Sequence, residues 1–138
     1  MKTILIFFEM VFLHFIADYQ VQGILASMKQ KSWWVSQFPN RSEFERSRYK
    51  NDYKAAMLAH SFEWSFIVLI PMLVEVIKSD YKPINIIYYS LILLTNIFYH
   101  YIIDNGKANE RNLNLIEDQI LHLIAIVITI VLWKIAVV

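Results

Sequence analysis

All four histidines of this 138-residue chain stand three or four positions from a carboxylate: His14 with Asp18, His60 with Glu63, His100 with Asp104, and His122 with Asp118. Residues at those separations share one face of an α-helix. Neutral imidazole and ionised carboxylate are the ligand set of zinc, manganese and related divalent transition metals, and bundle cores build such sites from paired residues on facing helices. The candidate metal ligands are therefore His14, Asp18, His60, His100, Asp104, Asp118 and His122. Glu63 joins them by spacing alone. This set exceeds what one tetrahedral zinc needs, so it suits two ions sharing carboxylates, or one ion with outer carboxylates orienting the imidazoles. A metal in such a site activates water at neutral pH, which puts hydrolysis of an ester or phosphoester within reach, with Asp18 or Glu63 as general base. The competing reading is an ion-free ionic network that pins the helices together.

The elements that must carry these residues are hydrophobic. Apolar residues make up 57% of the chain and charged residues 18%, and the mean hydropathy is +0.41, more hydrocarbon than a soluble chain this short can hide. Four stretches approach the roughly 20 residues that cross a bilayer, at about 3–22, 55–77, 84–103 and 117–137. In lipid such spans must be helical, because only a helix satisfies its own backbone there. The expected fold is all-α: one integral membrane domain, a four-helix transmembrane bundle with a long polar connection, 23–54, between the first and second helices. The first span opens like a secretory signal. It is expected to stay as an anchor, since it carries Glu9, His14 and Asp18 and no small-x-small cleavage site follows.

The connections differ in kind. The first is long and basic, with Lys29, Lys31, Arg41, Arg46, Arg48, Lys50 and Lys54, while residues 78–83 make a short turn closed by Pro83 and residues 104–116 are Asn-rich with Lys107 and Arg111. Ser42 and Glu45 form a capping box that predicts a helix from about Glu43, running on toward the second span. Trp33 and Trp34 beside Lys29 and Lys31 suit a stretch lying in the headgroup layer, an ordinary solvated loop being the alternative. Pro71 is expected to kink the second helix. The basic residues of the first and third connections outnumber Lys2, Lys78, Lys82 and Lys134 at the other end, which predicts a cytoplasmic side for those connections and both termini outside, in a bacterial inner or cell membrane.

Polar residues extend three of the pairs at helical spacing: His14/Asp18/Gln22, Asn96/His100/Asp104 and Asn114/Asp118/His122. Such stripes are costly against lipid and are expected to face one another. All four pairs also lie near the first or third connection, so antiparallel packing brings them to one depth. The formal net charge of +1 carries no nucleic-acid footprint, and there is no Gly-rich phosphate loop, no Gly-x-Ser-x-Gly elbow and no cysteine. The expected partners are the bilayer and a lipid or lipid-linked substrate, and a homo-oligomer is left open.

The stretch His14-Phe-Ile-Ala-Asp18-Tyr-Gln-Val-Gln22, His60 opening a span, His100-Tyr-Ile-Ile-Asp104, and Asp118-Gln119-Ile-Leu-His122 together resemble, in order and over essentially the whole chain, the small bacterial and phage membrane proteins of the domain of unknown function 3307 family. Members are integral membrane proteins, similar in layout to membrane-bound metal-dependent hydrolases. The resemblance implies motif positions for His14, Asp18, Gln22, His60, His100, Asp104, Asp118, Gln119 and His122. The 23–55 segment is longer and more charged than the family's usual connection. Two functions follow as expectations: a metal-dependent membrane hydrolase of a lipid or headgroup ester, or a non-catalytic interaction or exclusion protein with a structural His/Asp core.

Overall fold

The structure, a computed structural model, describes residues 2–37 and 42–136; Arg41 and the end of the fourth expected span at 137 lie outside them. The described residues contain helices and turns and no strand. Helix α1 (Lys2–Ile16) runs into a π-turn (Ala17–Val21), followed by the short helices α2 (Leu25–Met28), α3 (Lys31–Gln37) and α4 (Glu43–Tyr49). Then come α5 (Asp52–Val68), α6 (Ile70–Lys78), α7 (Pro83–Asn105) with a second π-turn (Gly106–Glu110), and α8 (Leu115–Ala136). Three helices are long and apolar enough to cross a membrane, Lys2–Val21, Pro83–Glu110 and Leu115–Ala136, and a fourth if the bent pair ending at Lys78 is one span.

That bend measures 53° and falls at Leu69, two residues before Pro71. Proline has no N–H to continue the ladder and its ring crowds the preceding turn, which is the kink expected from the sequence. The helix expected from Glu43 starts there under a complete capping box, Ser42 Oγ accepting from the Glu45 amide and Glu45 Oε2 accepting from the Ser42 amide. It runs on toward the second span, Glu43–Val68 counting as one stretch with a short interruption. A turn at Lys50–Asn51 separates α4 from α5.

Helix α1 packs on α5, α6 and α8, and α7 packs on α5, α6 and α8, so the four long elements surround a common interior. That interior is apolar at one end, where Met10, Trp64, Val68, Leu69, Met72, Ile126 and Trp133 are buried. The outward faces are apolar as well: Phe12 is 65% exposed, Phe98 68% and Ile135 74%. All four histidines, in contrast, are fully buried. A chain that turns phenylalanine outward and histidine inward inverts the soluble pattern and suits a hydrocarbon surround.

The two polar connections lie at the same end and are stapled to each other. Asn109 Nδ2 donates to the Lys29 carbonyl at 3.0 Å, and the Lys31 amide donates to Asn109 Oδ1 at 2.8 Å. Helices α2 and α3 pack on α5, so the Leu25–Met28 and Lys31–Gln37 parts of the first connection form a folded cap. Trp33 and Trp34 are half-buried within it, edge to face at 5.0 Å, with Trp34 Nε1 donating to the Met28 carbonyl. Gly106 is placed where a Cβ would come within 2.8 Å of Asn112 Oδ1, and its carbonyl accepts from the Asn112 amide at 3.1 Å. Arg111 closes this loop in the left-handed region at φ 57°.

Candidate metal centre

Helix α5 contributes His60, α7 contributes His100 and Asp104, α8 contributes Asp118 and His122, and the π-turn after α1 contributes Asp18; all are buried. His60 Nε2 and His100 Nε2 are 3.2 Å apart, and Asp104 Oδ2 lies 3.3 Å from the first and 3.6 Å from the second. Ligands of a tetrahedral ion with bonds of 2.0–2.1 Å sit about 3.3–3.4 Å apart along each edge, so these three atoms form one face of a zinc-sized tetrahedron. A third imidazole lies beside the other oxygen of Asp104. His122 Nδ1 donates to the Asp118 carbonyl at 2.8 Å, and its Nε2 is buried, without a hydrogen-bond partner and 3.7 Å from Asp104 Oδ1. A second-nitrogen bond to a carbonyl is how metal-binding histidines are commonly aimed.

The donors fall into overlapping groups: His60, His100 and Asp104; Asp104, Asp118 and His122; and Asp18, His100 and His122. Asp104 belongs to the first two and faces His60 and His100 with one oxygen and His122 with the other. One carboxylate between two donor sets is the arrangement that two ions would share.

Two lysines reach this cluster from the connections. Lys29 Nζ is 2.5 Å from Asp104 Oδ2, and Lys107 Nζ is 2.6 Å from Asp118 Oδ2. Two of the three carboxylates in the donor groups, Asp104 and Asp118, therefore already touch an ammonium. Asp18 has no lysine. Its Oδ2 accepts from Gln119 Nε2 at 3.2 Å, and its Oδ1 is buried with no hydrogen bond, 3.9 Å from His60 Nε2.

His14 behaves differently from the other imidazoles. Trp64 Nε1 donates to its Nδ1 at 3.0 Å, so its Nε2 carries the proton and donates to Gln119 Oε1, also at 3.0 Å. Both nitrogens are committed, and His14 stands outside the donor groups among the described residues. Its place is to orient Gln119, which donates onward to Asp18 and to Asp118 Oδ2. Glu63 also stands outside those groups; it is half-buried, with Oε2 lacking a hydrogen bond.

Of the three polar stripes, two face inward. Asn96 is buried below His100 and bonds Thr129 across the α7–α8 contact, and Gln22 bonds the Asp18 carbonyl. Asn114 does not join its stripe. It is exposed and caps α8, with Oδ1 accepting from the amides of Ile116 and Glu117, because the free amides of a helix start compete for that side chain. Trp64, Lys29 and Lys107 are the participants that the motif reading missed. Trp64 lies one helical turn after His60 and stacks on His100 with centroids 4.3 Å apart, a spacing that could have flagged it. Compared with known proteins, the chain matches no family model, no curated protein and no solved structure.

Proposed function

We propose that this chain is an integral membrane protein whose four spans enclose a divalent-metal centre near the cytoplasmic face, and that the centre hydrolyses an ester in a lipid or lipid headgroup. The observation that carries the metal reading is the triangle of His60 Nε2, His100 Nε2 and Asp104 Oδ2, with edges of 3.2, 3.3 and 3.6 Å. Three potential ligand atoms at that separation match one face of a zinc-sized tetrahedron, which supports a cation between them. The membrane reading is supported by the apolar outer faces and the helix lengths. The cytoplasmic side is supported by the excess of basic residues in the 23–54 and 104–116 connections.

His60, His100, His122, Asp104 and Asp118 would hold the metal, zinc or manganese by donor type, with room for a second ion across Asp104. When bound, the ion would supply Lewis acidity and activate water at neutral pH. Asp18 is the residue placed to take a proton, because Oδ1 is without a partner while Gln119 fixes Oδ2. His14 and Trp64 keep Gln119 in that orientation. The hydrolytic use is supported by the motif resemblance to the domain of unknown function 3307 family, whose layout is similar to that of membrane-bound metal-dependent hydrolases.

The non-catalytic reading has its own observation: the Lys29–Asp104 and Lys107–Asp118 pairs neutralise two of the buried carboxylates without any ion. Elemental analysis of detergent-purified protein, after incubation with zinc or manganese and desalting, separates the two. Stoichiometric metal that is lost in His122→Ala is the expected result, and a metal-free chain would leave the ionic core as the reading that stands. Release of product from a mixed-lipid ester panel by the loaded protein, abolished in Asp18→Asn with metal retained, tests the hydrolytic half.

A further inference from the structure

At the end of the molecule formed by the two polar connections, a cleft of 390 Å³ opens beside the metal centre. Gln22, Lys29, Gln30, Lys107 and Arg111 line it, and Asp104 forms its inner wall. Three cationic side chains surround this cleft; Lys29 and Lys107 are paired with buried carboxylates, which leaves Arg111 as the cation that the buried core does not account for. Arg111 is exposed and has no ion-pair partner among the described residues. Lys29 is engaged through the same oxygen, Asp104 Oδ2, that completes the triangle with His60 and His100.

A divalent ion and an ammonium cannot both sit close to one carboxylate oxygen without strong mutual repulsion, so metal binding at the triangle expels Lys29 from it. The lysine is anchored just outside the cluster, where the Lys29 carbonyl is held by Asn109, and its displaced ammonium has the cleft to enter. We propose that the cleft binds the phosphate group of a phosphoester, and that metal entry assembles this site by transferring Lys29 from Asp104 to the phosphate. The proposal rests on the metal reading above and names the substrate class of that centre. Phosphate fits better than a carboxylate because the displaced Lys29 and the unpaired Arg111 supply more positive charge than a monoanion can neutralise, Lys107 being held by Asp118, and the guanidinium fork pairs with phosphate oxygens two at a time. With the ion on Asp104, the negative wall that would otherwise repel the phosphate is neutralised.

Binding, rather than turnover, tests this. The full chain is reconstituted in nanodiscs of phosphatidylcholine alone or with phosphatidic acid, metal-loaded or chelator-stripped, with metal content measured in each sample, and inorganic phosphate is titrated calorimetrically into every set. The expected result is phosphate binding that is at least about tenfold tighter in loaded than in stripped protein, as a charge-assisted contact is gained. Competition by phosphatidic acid assigns the source to a lipid headgroup, and its failure to compete assigns it to a soluble phosphoester. Arg111→Gln, on an exposed loop, and Lys29→Ala should each weaken phosphate binding by about tenfold without loss of metal. Loaded protein that binds phosphate no better than stripped protein, or Lys29→Ala and Arg111→Gln proteins that bind it as wild type does, would overturn the exchange while leaving the metal centre intact. A chain that takes up no metal overturns both.

Discussion

Lys29 Nζ lies 2.5 Å from Asp104 Oδ2, joining two residues 75 positions apart, and the oxygen it touches is also the one nearest His60 and His100. The ammonium thus holds the place that the proposed metal would take. Replacing Lys29 with Met should tighten zinc or manganese binding by about tenfold, since a competing cation is removed and the stem's packing is kept. Competition titration against a chelating dye measures this. An unchanged or weaker affinity would mean that the lysine and the metal do not share the site.

Histidines of similar burial should respond in opposite ways. His14→Ala should retain stoichiometric metal but lose about 1–3 kcal/mol of stability, because Trp64 Nε1 and Gln119 Oε1 are left buried without partners. His122→Ala should lose metal. Elemental analysis and thermal unfolding in detergent on the same two variants give both readouts.

Metal should stabilise the chain by mass action. At a free concentration one hundred times the dissociation constant, the gain is about 2.7 kcal/mol. A chelator should reverse it, and His100→Ala should show no metal-dependent rise in Tm. A wild-type Tm that ignores metal would count against a site formed only in the fold.

Asn114 offers a control outside the centre. Asn114→Ala removes the cap on α8 and should cost about 1 kcal/mol with metal content unchanged. Loss of metal in this variant would place Asn114 back in the stripe with Asp118 and His122.

Orientation is accessible because the chain has no cysteine. A thiol introduced as Ser36→Cys, on the exposed side of α3, should resist a membrane-impermeant maleimide in intact cells and react once they are opened. Labelling from outside would reverse the assignment of the basic connections to the cytoplasm.

The convergence of His60, His100, Asp104, Asp118 and His122 was legible because each pair obeys helical spacing and lies beside one of two connections at the same end. The roles of the lysines were not. Lys29 meets Asp104 across 75 residues, and nothing local distinguishes it from Lys31, which sits over the Tyr53 ring. His14 shares the spacing of the others, yet its nitrogens were taken by Trp64 and Gln119, a competition that depends on which side chains face each other across α1, α5 and α8. Asn114 was misread for a different reason: with Glu117 it also satisfies a capping pattern, and that local bond won over the longer stripe.

Both π-turns lie where a span meets a connection, one carrying Asp18 and the other Lys107. Each is a helical turn that has accommodated one additional residue. Shortening the chain by a single position in either turn would let an ordinary α-helix close over the gap, leaving the segments on both sides in register while turning the side chains within the turn itself onto other faces. The spans would keep their packing while Asp18 or Lys107 swung off its partner. In this molecule, then, the smallest possible deletion could silence the centre and leave the fold standing, which separates the length of the chain at two points from its stability.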